Sequence, residues 1–231
     1  MTFPQPIYPG YVRASAAPSL TYVGAAGSAG GSSTLTYTGF TLSAGLYCVF
    51  TAIRTYPSNN GVSSITVGGQ SGATNFATGH RVAGDGLQSY TQGWYIRLTG
   101  SPSDVITITT ASSGADVRRG GVAVYRIDGS NADAPSTSNT ASGTGSPTMS
   151  AAVTLTATGC ILCGAYASGA TGGDRILAAS ANNVAGGTYT PQVAIATGGT
   201  GTWSGGVTAD ASQLLSSSAG DDSGLVVAAW C

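Results

Sequence analysis

The sequence predicts an all-β chain, and three observations carry that expectation. Charged residues make up 7% of the 231 residues, where an ordinary soluble domain carries about 25%. All 8 cations are arginine and all 9 anions are aspartate, so lysine and glutamate, which clothe exposed helix faces and supply their i,i+4 pairs, are missing altogether. In their place Thr, Val, Tyr and Ile recur between 36 glycines and 9 prolines, an alphabet of strands punctuated by turns.

A chain of this length can bury a sizeable core, as one large β-sandwich or as two small domains. Its first stretch, 1–18, holds Pro4, Pro6, Pro9 and Pro18 and cannot donate a regular ladder of hydrogen bonds, so an extended arm is expected there. Phe3, Ile7, Tyr8 and Tyr11 are too apolar for a tail that only floats. The arm is read as a strap that packs on its own sandwich or on a neighbouring subunit.

From Gly45 the alternation becomes clear. Leu46, Cys48, Phe50 and Ala52 fall on one face of a strand and Tyr47, Val49, Thr51 and Ile53 on the other. A strand that is apolar on both faces belongs in the middle of a sheet. The Asn60-Gly61 step that follows favours the positive backbone angles of a tight reversal before Ile65-Thr66-Val67. Further strands are expected at Trp94 to Leu98, Val105 to Thr109 and Val122 to Ile127, with Gly100, Pro102 and Asp104 among the turn residues between them. The spacing is that of a sandwich or barrel.

Residues 130–150 are almost wholly Ser, Thr, Ala, Asn, Gly and Pro, the composition of an interdomain linker or of one long loop crossing the end of a sandwich. Strands are expected again at Val153 to Ala157, Cys160 to Ala167, Gln192 to Thr197 and Leu225 to Trp230. These later strands are rich in Ala and Gly and would bury little apolar area alone. A single sandwich domain over 19–231, with 130–150 as a long loop, is therefore preferred.

The run from Gly45 to Gly129, with its long apolar strand, Asn-Gly reversal, Ile65-Thr66-Val67-Gly68-Gly69, Trp94-Tyr95-Ile96-Arg97-Leu98 and Val124-Tyr125-Arg126-Ile127-Asp128-Gly129, resembles the β-sandwich of tailed-bacteriophage virion proteins. The closing Leu225-Val226-Val227-Ala228-Ala229-Trp230 is similar to the last strand of those domains. The resemblance is one of pattern and carries over no functional residue. It implies a jelly-roll-like fold and a place in the virion as a capsid decoration or a neck or tail appendage; a symmetric homo-oligomer, a trimer, packed against other virion proteins is expected with that role.

The residues offer little for catalysis, and no enzyme is expected. Acid-base work needs a group that titrates near neutrality, and the chain has 1 histidine with no lysine or glutamate beside it. His80 sits in Thr78-Gly79-His80-Arg81 without a Gly-x-Ser-x-Gly elbow anywhere in the chain, and is read as a hydrogen-bonded or exposed side chain. Asp221 and Asp222 supply two carboxylates without the spaced oxygens of a calcium loop. Cys160-Ile161-Leu162-Cys163 has the spelling of a redox or zinc site. On a strand, however, residues three apart point to opposite faces, and no second cysteine pair completes a tetrahedron. Gly199-Thr200-Gly201 lacks the third glycine of a phosphate-cradling loop. Neither a cofactor nor a metal is expected.

A net charge of -1 excludes the cationic field that nucleic-acid or anionic-membrane binding needs. The longest apolar stretch, Cys160 to Ala167, is far short of the roughly 20 residues that span a bilayer. The first residues show no basic-then-apolar signal, so synthesis in a host cytoplasm without a signal peptide is expected. Two functional signals remain. Cys231 follows the last apolar strand and is expected either to stay an exposed thiol or to pair with Cys48, Cys160 or Cys163 of its own or another chain. Trp203, in Gly201-Thr202-Trp203-Ser204-Gly205, is the indole expected to be exposed and the candidate contact for a surface glycan, in an alternative reading as a carbohydrate-binding module or a host-recognition fibre domain.

Overall fold

The computed structural model describes residues 17–56, 61–82, 88–111, 117–144, 148–170, 173–195, 201–216 and 222–231. The chain is all-β, with 70% strand and, among the described residues, no helix. The first part supplies β1 (Ser19–Ala29), β2 (Thr34–Tyr37), β3 (Gly45–Thr55), β4 (Val62–Val67), β5 (Thr74–Val82), β6 (Gln88–Leu98), β7 (Ile106–Thr110) and β8 (Val117–Asp128). The second supplies β9 (Thr137–Thr144), β10 (Thr148–Ser150), β11 (Val153–Leu155), β12 (Cys160–Ala170), β13 (Gly173–Val184), β14 (Gly187–Tyr189), β15 (Gln192–Ile195), β16 (Gly201–Ser204), β17 (Thr208–Ser216) and β18 (Asp222–Trp230).

These strands form antiparallel sheets in four layers. One outer layer is β2-β7-β4, and the first inner layer is the five-stranded β1-β8-β3-β6-β5. The second inner layer is the five-stranded β17-β13-β12-β18-β9, and the far outer layer holds β10-β15-β16 and β11-β14. The predicted alternation of β3 explains the stacking. Leu46, Cys48, Phe50 and Ala52 face Ile161, Cys163, Ala165, Val226, Ala228 and Trp230 in a core shared by the two inner sheets. Tyr47, Val49 and Ile53 turn the other way and pack with Leu35, Ile65, Ile106 and Ile108 of the outer sheet. On the far side Cys160, Leu162, Tyr166, Leu225 and Val227 meet Met149, Val153, Leu155, Val193 and Trp203.

The sandwich expected from the sequence is present in the two inner sheets, and further sheets cover its outer faces. The physical reason is visible in β3, β12 and β18, each apolar on both faces, which leaves both inner sheets needing cover on two sides. The two inner sheets also share a plan. Each puts the first strand of its part of the chain at one edge, the last strand next and the long apolar strand in the centre, giving β1-β8-β3 and β9-β18-β12.

The Ser/Thr-rich stretch 130–150 departs from the expected long loop. Its residues 137–144 are β9, paired with β18 from Thr137↔Ala229 to Thr144↔Asp222. Backbone pairing to an already apolar neighbour makes a strand there without any apolar pattern of its own. The tight reversal expected at Asn60-Gly61 lies outside the described residues except for Gly61. A two-residue hairpin is seen instead at Gly68-Gly69, with φ of +61° and +77°, where Val67 and Gln70 exchange both backbone bonds at 3.0 Å. Glycine reaches these angles without steric penalty.

Amide side chains join elements where backbone ladders do not reach. Gln92 Oε1 accepts the Val62 N–H at 2.7 Å while its Nε2 donates to the Val62 carbonyl at 3.2 Å, tying β6 to the outer sheet. Asn182 does the same for Leu20 across the two inner sheets, at 2.6 Å and 3.0 Å. Thr91 Oγ1 adds a 2.8 Å bond to the Gly224 carbonyl.

Near that bond the inner sheets touch through backbone. A Cβ at Gly79 would lie 2.9 Å from the Leu225 carbonyl oxygen and 3.1 Å from that of Ala141, and backbone atoms cannot rotate away. Gly79→Val is therefore expected to destabilise the fold by about 1–3 kcal/mol through overpacking. The check is a urea unfolding midpoint that falls with an unchanged m-value.

Candidate functional site

The two cysteines of the Cys-x-x-Cys spelling lie on opposite faces of β12, as residues three apart on a strand must. Cys160 belongs to the far core and Cys163 to the shared one. Ile161↔Trp230 is a register pair of β12 and β18, so the position before Ile161 meets the position after Trp230. There Cys160 and Cys231 form a disulfide, with Cα atoms 4.2 Å apart. Of the partners open to Cys231 in the sequence, the structure selects Cys160 of the same chain. Cys48 and Cys163 remain free thiols, both buried. Burial first, and then the hydrogen bond and charge of Cys163, push the Cys48 thiol well above its ordinary value, so it is a poor nucleophile.

His80 stands on β5 opposite Tyr90 of β6. Its ring stacks on that tyrosine, with centroids 4.1 Å apart and planes within 8°. Gln88 Oε1 lies 2.9 Å from His80 Nε2 and accepts the Tyr90 hydroxyl at 3.0 Å. An amide oxygen only accepts, so Nε2 carries the proton and the imidazole is held by an amide and a ring. Among the described residues no carboxylate hydrogen-bonds to His80.

Sequence reasoning missed the polar end of the first inner sheet to which His80 belongs. Arg54, Thr55, Gln88 and Ser89 are buried there, and register sets Arg54 between Arg119 and Ser89. Burial and then the neighbouring Arg54 lower the Arg119 pKa. The available signal was the polar ending of two otherwise apolar runs, Arg54-Thr55 and Gln88-Ser89, which reads as solvent-facing until the strands are paired.

Trp203 is not the exposed ring expected. It is 8% exposed and packs in the far core. β16 alternates, so Thr202 and Ser204 point outward and the indole inward; flanking glycines and hydroxyls made a buried position look like a loop. Trp94 and Trp230 are core residues, and the Trp230 indole N–H donates to the Asp133 carbonyl at 3.0 Å. The arm residues Phe3, Ile7, Tyr8 and Tyr11, and Asp221, lie outside the described residues, as does the side chain of Asp222. Among the described residues no three potential metal ligands gather.

Two buried phenols, one between the inner sheets and one on the outer sheet, link the stack to pH. Tyr125 donates to Asp210 Oδ2 at 2.8 Å, and burial followed by the Asp210 charge pushes its pKa up strongly. Burial pushes Tyr37 up to about 12 against the opposing hydrogen bond from Ser28.

Two outcomes are expected. Cys231→Ser should cost about 2–5 kcal/mol in denaturant unfolding, with reduced wild-type protein matching the variant. Unreduced wild-type chain should run as a monomer on a gel. Second, an unfolded phenol ionises near 10.0 while folded Tyr37 holds its proton to about 12, so the native state binds more protons in that window. Stability is intact below the lower value and falls as pH rises towards the upper one, and urea midpoints measured across the window in wild type and Tyr37→Phe should show the slope reduced in the variant.

Compared with known proteins, the chain matches no family model, no curated protein and no solved structure.

Proposed function

We propose that this protein is a structural component of a tailed-phage particle, a capsid decoration or a neck or tail appendage, that works by subunit packing and not by catalysis. The observation that carries the reading is the character of the outer faces. Thr34, Thr36 and Ser64 are exposed on one outer layer, and Thr148, Ser150, Thr154, Thr188, Thr202 and Ser204 on the other. Such faces offer hydroxyls without a charge field that repels identical neighbours. Behind them lies a stack whose central strand β3 is buried from Leu46 to Thr55, an arrangement suited to bearing load. The pattern shared with virion sandwiches adds to this, as does the structural employment of the one histidine.

In this reading the arm with Phe3, Ile7, Tyr8 and Tyr11 docks on a neighbour, and identical copies close a symmetric ring, a trimer. A carbohydrate-binding role is not advanced, because the indole on which a sugar would stack is in the core.

Deleting residues 1–18 tests the proposal. The truncated chain should keep its β-type circular dichroism and its melting temperature, yet fail to join particles when co-produced with the remaining virion proteins. Normal incorporation of the truncated chain would refute the docking role of the arm. Electron microscopy of intact particles that located no copy of this chain would refute the virion reading itself.

A further inference from the structure

Cys48 and Cys163 occupy matching places in the two inner sheets. Each lies on the central strand of five, β3 and β12, on the face turned to the other sheet, and each is 0% exposed. Both side chains enter the one core that the two inner sheets share. Ala52, Ala123, Ala165, Ala178 and Ala228 belong to the same core, and small side chains of that kind let packed sheets approach closely. Nothing in the proposed function uses this pair, and two thiols facing one core from opposite sheets are not required for packing, since alanine or valine fills such space without redox chemistry.

We propose that Cys48 and Cys163 are a latent inter-sheet crosslink, which closes into a second disulfide in an oxidising medium and fixes the two inner sheets to each other. Immunoglobulin-type sandwiches place a disulfide across their core in the same sense, one cysteine from each sheet. The chemistry is thiol–disulfide exchange with a small-molecule disulfide. One thiol, as thiolate, attacks a sulfur of the reagent, breaks its S–S bond and releases one reduced thiol. The second cysteine then attacks the mixed disulfide and releases the other. Two cysteine protons and two electrons leave the protein, and one reagent disulfide becomes two thiols.

Burial sets the order of events. Cys231 is exposed, so its bond to Cys160 forms readily. The Cys48–Cys163 pair reacts only while the inner sheets part, and the thiol's raised pKa keeps it inert while they are closed. Its oxidation rate should therefore level off as reagent concentration rises, at the rate at which the sheets open. The inference stands on the core geometry and does not depend on the virion reading.

The test uses the full chain with Cys160–Cys231 intact, incubated with graded oxidised glutathione, then denatured and alkylated with iodoacetamide. At the start, two thiols per chain should take up alkyl groups. With time both should be lost together, the intact mass should fall by two hydrogens, and one disulfide-linked peptide should carry Cys48 and Cys163. The oxidised protein should then unfold in urea about tenfold more slowly or less, because the sheets can no longer separate. Cys163→Ser should instead retain a glutathione adduct on Cys48, having no thiol to resolve it. If Cys163→Ser does not fold, the wild-type mixture in partially denaturing urea gives the same decision. A linked peptide there supports the proposal, and persistent glutathione adducts on Cys48 or Cys163 with no linked peptide overturn it.

Discussion

Everything in this molecule hangs on the contact between its two inner five-stranded sheets. Among the described residues the core between them is built from these two sheets, with strands from both parts of the chain. Phe50, Tyr125 and Trp230 supply bulk, with Phe76 set edge-on to both Phe50 and Trp230. Alanines and glycines supply closeness, down to the backbone contact at Gly79 and Gly224. Large and small side chains alternate across the interface, as close packing of two twisted sheets requires. The outer layers then follow as a consequence, because an inner sheet whose strands are apolar on both faces cannot present its second face to water.

The missing lysine and glutamate shape how that stack is joined. With few ions to spend, the chain uses neutral amides as substitute backbone: Gln70, Gln92 and Asn182 each bond both the N–H and the C=O of one residue, Thr99, Val62 and Leu20 respectively. An amide presents one donor and one acceptor in the spacing of a peptide group, so a buried polar pair is satisfied without desolvating a charge. Among the described residues, Arg97 meets Asp133 and Arg126 meets Asp128 at exposed positions. Exposed pairs of that kind add little stability, and the one between Arg97 and Asp133 joins β6 to the segment after β8.

How much was legible depended on whether a residue's signal was its own. The strands at Leu46 to Ile53, Trp94 to Leu98, Val122 to Ile127 and Leu225 to Trp230 announce themselves, since each carries enough Val, Ile, Leu or aromatic side chain to need burial wherever it goes. β1, β9 and β17 do not. Their Ala, Gly, Ser and Thr are compatible with a loop, and they are strands because Tyr125, Val226 or Ala178 lies alongside offering backbone groups. The same holds for single residues. His80 looked isolated in the sequence because its partners, Gln88 and Tyr90, are brought to it by strand pairing. Trp203 looked exposed because its inward direction is fixed by the pairing of β16 with β15.

The sequence by itself determined that this chain is β throughout, that β3 lies inside a sheet, and that the cysteines of Cys160-x-x-Cys163 diverge. Each of these follows from composition or from the two-residue period of a strand, which are properties of neighbours along the chain. Only the tertiary structure decided that there are four layers, that Cys231 closes on Cys160, and that Cys48 and Cys163 share one core. Those are relations between strands distant in sequence, fixed by register and by which faces must be hidden from water, and no local pattern encodes them.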